Sequence, residues 1–172
     1  VPQDGVTPGE IIIFTAGKSA LCYTANEEQT REKYYKGWFY TKDMGTWNEE
    51  CFVSVTGRRD DMIVCMGENI YPAQLEAVIC TCPKVRDCMV VGVPDPSRGQ
   101  CVAAYVIAED ESLTVQELNR FCVESNDISG YKCPRYYCIV KELPYTATGK
   151  KQHVLLKAQA EADLAEGRLL RP

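Results

Sequence analysis

Histidine is almost missing from this chain, with His153 alone among 172 residues. No two cysteines stand three positions apart, so the Cys-x-x-Cys unit is absent too, and a zinc site of ordinary spacing is disfavoured. No apolar run approaches the roughly 20 residues that a membrane span requires; Ile11–Phe14 is far too short. No basic stretch followed by an apolar core opens the sequence, so no signal peptide is legible. Positive charge is scarce as well. Nineteen Lys and Arg against 24 Asp and Glu leave a net charge of -5, which argues against a nucleic-acid partner but leaves room for a local basic patch facing a phosphate-bearing cofactor.

What the chain has is material for a globular core. A hydrophobic share of 45% beside 25% charged residues is ordinary for a soluble protein. The length suits one domain plus part of a second. Ten cysteines are present. Cys65, Cys88, Cys122 and Cys138 lie among apolar neighbours and read as small buried hydrophobes, which favours a reduced, cytoplasmic setting.

The stretch from Gly57 to Glu76 concentrates the most signals. Val53, Val55, Met62, Ile63 and Val64 flank the charged Arg58–Asp61 cluster, giving strand, polar turn, strand. Gly67 breaks the second strand, and Pro72 suits the first turn of a helix, where a missing N–H costs nothing. Before this stretch, Val1–Gly9 is an irregular lead-in and Glu10–Phe14 a short strand ended by Gly17. Glu27–Tyr35 is helix-forming, and Gly37–Gly45 an aromatic strand. These pieces lack a covering layer and are poor material for an independent core. Ile11–Phe14 and Trp38–Tyr40 are therefore expected to leave an exposed apolar surface, mobile or covered by self-association.

After the stretch the pattern is regular. A helix Ala73–Cys80 precedes strands Val85–Val93 and Val102–Ala108, split by the Pro94–Gly99 turn cluster. Thr114 and Glu117 have capping-box spacing and open a helix running to about Glu124. A strand Arg135–Val140, a loop Leu143–Lys150 and a helix Val154–Glu166 complete the chain. The fold class is α+β, a three-stranded main sheet with packed helices.

The wording Gly67-Glu-Asn-Ile-Tyr-Pro-Ala-Gln-Leu-Glu76, with the charged cluster before it, resembles the hinge motif of AMP-forming acyl- and aryl-CoA ligases of the adenylate-forming superfamily. It is closer to those than to peptide-synthetase adenylation domains, and the resemblance runs from about Gly9 to about Lys157. It implies that residues 1–57 are the β-rich end of a large N-terminal adenylation domain. Residues 58–172 would be a small mobile C-terminal lid with a hinge β-hairpin, and the chain would begin in the middle of a longer protein.

The implied reaction activates a fatty or aryl acid with ATP and magnesium as an acyl-adenylate, which then passes to CoA. No Ser/Thr/Gly-rich phosphate loop ending in lysine and no acid pocket is legible, so the chain alone is expected to be inactive. An adenylating domain serving a carrier protein, an adenylate-oxidising enzyme and a non-catalytic docking module are the other readings.

By the same resemblance, Lys150 enters the adenylation site and contacts the carboxylate and α-phosphate. Asp43 binds the ATP ribose, Arg58 helps hold the nucleotide, Asp60 is the hinge pivot and Gly67 borders the pantetheine tunnel. Without the resemblance, each has a plain alternative: a solvated lysine, an Asx turn, a salt-bridged turn, a turn glycine. Arg98, Tyr131, Lys132 and Arg135 form a candidate CoA surface, since cations suit the nucleotide phosphates and an aromatic ring can stack on adenine. Lys42 stands where the family usually has glycine before the aspartate, Met66 is bulkier than usual, and Gln152 and His153 replace common arginines. His153 reads as a plain helix residue.

Overall fold

A computed structural model describes residues 1–15, 22–128 and 130–172. They divide into two units, Val1–Asp60 and Asp61–Pro172, with the division inside the charged Arg58–Asp61 cluster. The expectation that Gly17 ends the first strand falls outside the described residues.

The first unit contains β1 (Gly9–Phe14), α1 (Glu27–Lys33), β2 (Tyr34–Tyr35), β3 (Trp38–Trp47) and β4 (Val53–Arg58). β3 is the spine, antiparallel to the other three strands. β1 runs along one edge, and β2 and β4 share the other. One helix and four strands give no second layer, and the burial pattern follows. Every buried apolar side chain among the described residues lies at Ile63 or later. Ile12, Ile13 (50%), Phe14 (60%) and Trp38 stand open to solvent, as the missing covering layer led us to expect, while Ile11, Phe39 and Tyr40 are half-buried.

The second unit contains β5 (Ile63–Cys65), β6 (Glu68–Ile70), α2 (Pro72–Ile79), β7 (Val85–Asp95) and β8 (Gly99–Ala108). After these come α3 (Val115–Glu124), a single 3-10 turn at Gly130–Lys132, β9 (Tyr136–Ile139) and α4 (His153–Ala165). β7 and β8 pair antiparallel from Val85↔Ala108 to Asp95↔Gly99, and β9 joins β8 in parallel. The two strands around the charged cluster enter different sheets, β4 pairing with β3 and β5 with β6. The hairpin of this region is thus β5–β6, attached to β8 at Cys65↔Gly99.

Both faces of the β7–β8 ribbon are covered, which is why its strands read as continuous apolar runs rather than alternations. Val90, Val102, Ala104 and Val106 pack with Leu75, Ile79 and Leu118 of α2 and α3. The intervening Met89, Val91, Ala103 and Tyr105 pack with Leu156 and Ala160 of α4. The α+β assignment holds, but the main sheet has five strands rather than three, because the β5–β6 hairpin joins β8 at Cys65↔Gly99. No helix among the described residues is long and apolar enough to cross a membrane.

The α3 capping box is formed in full: Thr114 accepts from the Glu117 N–H (3.2 Å), and the Glu117 carboxylate accepts from the Thr114 N–H (3.0 Å). Leu118, fully buried one turn later, has the larger stake in stability. Leu118→Ala is expected to cost about 2–5 kcal/mol and Thr114→Ala about 1 kcal/mol. Urea denaturation of the chain measures both, and equal losses would contradict this packing.

Candidate functional site

In the first unit, Asp43 and Arg58 face each other across β3 and β4, with Asp43 Oδ1 2.7 Å from Arg58 Nη1. Both are about half exposed, so the pair adds little stability. Its carboxylate keeps acceptor capacity beyond the arginine, since an ionised carboxylate offers about four lone-pair sites.

Lys42 holds φ +64, the left-handed conformation that costs a side chain about 1 kcal/mol. Compensation is visible around it. Its N–H donates to Glu10 (2.9 Å), and its ammonium pairs with Glu32 (2.6 Å) and Asp60 (3.2 Å). Those two hydrogen bonds raise the Lys42 pKa. Asp60, the expected pivot, is therefore held through the residue before Asp43.

In the second unit, Lys150 sits in a tight turn. The Lys150 N–H donates to Thr146 Oγ1 (3.0 Å), the Thr146 N–H donates to the Lys150 carbonyl (2.8 Å), and Gly149 supplies φ +78. Its ammonium makes no ion pair among the described residues and is exposed. The turn is fixed by its neighbours instead. Lys151 reaches Glu76 (3.1 Å), Asp87 (2.9 Å) and the Cys88 carbonyl, while the Tyr145 hydroxyl donates to Asp87.

His153 Nε2 lies 2.7 Å from Glu76 Oε1. His153 opens α4 as a helix residue, but the plain reading missed that its half-buried ring is the partner of a buried acid. The sequence hides this because Glu76 and His153 are 77 positions apart.

The pKa shifts follow from this network. Burial pushes Glu76 up, but hydrogen bonds from His153 and the Val90 N–H, with the Lys151 charge, outweigh it and hold the carboxyl below its ordinary range. Burial likewise opposes the charged form of Lys151, and Glu76 and Asp87 reverse the effect, raising its pKa. For His153 the Glu76 hydrogen bond leads and raises the pKa against desolvation.

Gly67 lies at the far end of the same sheet. Met66 (φ +54) and Gly67 (φ +82) form the two-residue turn between β5 and β6, the primed geometry that needs positive φ at both positions. A Cβ on Gly67 would meet nothing within 4 Å. Glycine here leaves an open approach to the backbone. The Met66 N–H donates to the Arg98 carbonyl (2.9 Å), which ties this turn to the one between β7 and β8. The Lys150 turn is instead tied to Cys88. The stretch of β7 from Cys88 to Asp95 separates the two anchors, about 23 Å at the rise of an extended strand.

Arg98, Tyr131 and Arg135 come together in one cleft of about 410 Å³, with Arg171 and Asn119 on its wall. Lys132 is not on this wall; its ammonium lies 5.8 Å from the Tyr131 ring centre. Arg171 was not legible beforehand. Leu170 pairs with Tyr137 through two backbone hydrogen bonds (2.9 and 3.0 Å), and Arg171 then packs over Tyr136 at 4.9 Å. This long-range bridge has no local sequence signal.

Residues 74–150 match the AMP-binding enzyme C-terminal domain. Those residues are a C-terminal domain of the AMP-binding enzyme family. It is 40% identical over 159 residues to a 2-succinylbenzoate–CoA ligase of Bacillus cereus, covering 87% of this chain and 31% of that protein. It is 39% identical over 160 residues to a human mitochondrial medium-chain acyl-CoA ligase, covering 92% and 26%. Among solved structures, an anthranilate CoA ligase in complex with anthranoyl-AMP aligns with a TM-score of 0.83 at 30% identity, covering 96% of this chain and 32% of that one. The chain thus spans roughly a third or less of the length of these relatives.

Proposed function

We propose that residues 1–57 close the N-terminal adenylation domain, and residues 58–172 form the mobile lid, of a cytoplasmic AMP-forming carboxylate–CoA ligase. An acid carboxylate attacks the α-phosphorus of ATP and releases pyrophosphate. The CoA thiolate then attacks the acyl carbon, giving the thioester and releasing AMP. Lys150 stabilises the charge that builds at the α-phosphate, an interaction stronger in the transition state than in the ground state. Asp43 and Arg58 hold the nucleotide, and rotation about Asp60 exchanges the ends of the lid. Magnesium accompanies ATP.

One observation carries the reading. The open Gly67 turn is tied to Arg98, whose side chain lines the arginine cleft, whereas the Lys150 turn is anchored at the other end of β7. A channel for the pantetheine thiol beside a site for the nucleotide phosphates of CoA is what thioester formation needs. A cluster of guanidiniums favours free CoA over a carrier protein, whose phosphopantetheine lacks those nucleotide phosphates. The activities of the relatives, succinylbenzoate, medium-chain acyl and anthranilate CoA ligases, support a fatty or aryl acid as substrate.

The exposed apolar strands of the first unit would be covered by the remainder of the ligase. In its absence, the chain should self-associate through them and elute from size exclusion earlier as concentration rises; an unchanging monomer at high concentration would contradict that. In the full-length ligase, Lys150→Ala should lower pyrophosphate release about a hundredfold or more yet spare thioester formation from supplied acyl-AMP. Gly67→Leu should do the reverse. Equal losses in both half-reactions for both variants would remove the assignment, as would acyl-AMP formed by the 172-residue chain alone.

A further inference from the structure

Glu76, the last residue of the glycine-to-glutamate stretch, is 7% exposed. It is the point on which the Lys150 turn is hung. Oε2 takes the Lys151 ammonium (3.1 Å), and Oε1 takes the Val90 N–H (2.9 Å) and His153 Nε2 (2.7 Å). The other imidazole nitrogen, Nδ1, faces Asp61 Oδ2 at 3.9 Å. Lys151 and His153 thus grip one carboxylate immediately after Lys150.

A neutral imidazole can donate from one nitrogen only, whereas an imidazolium donates from both. The charged groups around the ring are Glu76 from α2, Asp61 from the segment before β5, and Lys151 from the turn. Asp87 of β7 is reached through Lys151. Three carboxylates therefore face two cations when His153 is protonated, and one cation when it is not.

We infer that Glu76 and His153 are positioning residues for Lys150: the imidazolium locks the turn onto the sheet, and the lock loosens when His153 loses its proton. The functional half of this rests on the adenylation role proposed for Lys150; the lock itself does not. Because pairing with Glu76 raises the His153 pKa in the folded state, the contribution is complete below the ordinary value of about 6.5. It disappears as pH rises through the higher, folded value. Adenylation should therefore fall on the alkaline side of that value, while thioester formation from supplied acyl-AMP does not follow it.

His153 is the only histidine, so its ring can be titrated by NMR in the chain without assignment ambiguity. The expected midpoint lies above 6.5, and the Gly149 and Lys150 amide signals should shift with the same midpoint. Glu76→Gln should lower it, because the substitution removes the carboxylate charge beside the ring. His153→Arg should hold the Gly149 and Lys150 signals at their low-pH positions throughout, and His153→Gln at their high-pH positions. Should any variant unfold, the unaltered chain still decides.

A midpoint at or below 6.5, or amides indifferent to it, would overturn the lock. In the full-length ligase, adenylation indifferent to a midpoint that the amides do follow would overturn the positioning role. Failure of the adenylation reading is distinguishable, because Lys150→Ala would then leave pyrophosphate release intact.

Discussion

A buried carboxylate surrounded by donors is the constraint on which the second unit turns. Glu76 is fixed by its helix, α2, and by the Val90 N–H on β7. Removing one partner from such a group leaves an unsatisfied charge, far costlier than the net worth of the contact. Lys151 and His153 are therefore held to it, and the backbone between Tyr145 and His153 has little freedom left. Lys150 is exposed on a segment whose neighbours are anchored, which lets a lone ammonium be presented in one place without being spent on an ion pair.

The second constraint is the length of β7. Its apolar residues are buried on both faces, so the strand cannot slip by one residue without exchanging its two cores. That register fixes what lies at each end: the Glu76 cluster near Cys88, and the Arg98 turn with Gly67 beyond Asp95. The Lys150 turn and the Gly67 turn are thus kept apart by a rigid spacer. Among its described residues the first unit has no comparable core and draws its order from strand pairing to β3.

Much of this was legible in the residues. The long apolar runs, the Thr114–Glu117 box and Pro72 each carry a local signal, and β7, β8, α3 and α2 appear where those signals put them. The short β6 was missed because three residues after a turn carry no periodicity. The hairpin was legible only as strand, turn, strand; which sheet each strand joins depends on distant partners. At the site, Lys150 and Gly67 were marked by the family resemblance, and Arg98 and Arg135 by their charge. Glu76, Lys151, His153 and Arg171 did not, because their meaning lies in pairings across tens of residues. Lys42 stood out in the family's glycine position, but the ion pairs around its left-handed backbone were not legible.

The central claim is that the two ends of the lid act in turn. Hydrogen exchange in the full-length ligase tests it most directly, first with a stable acyl-adenylate analogue and then with CoA added. The account predicts that protection appears at the Thr146–Lys151 turn in the first state and moves to the Met66–Gly67 turn in the second. Protection of both turns together in either state, or of neither in both, would contradict it.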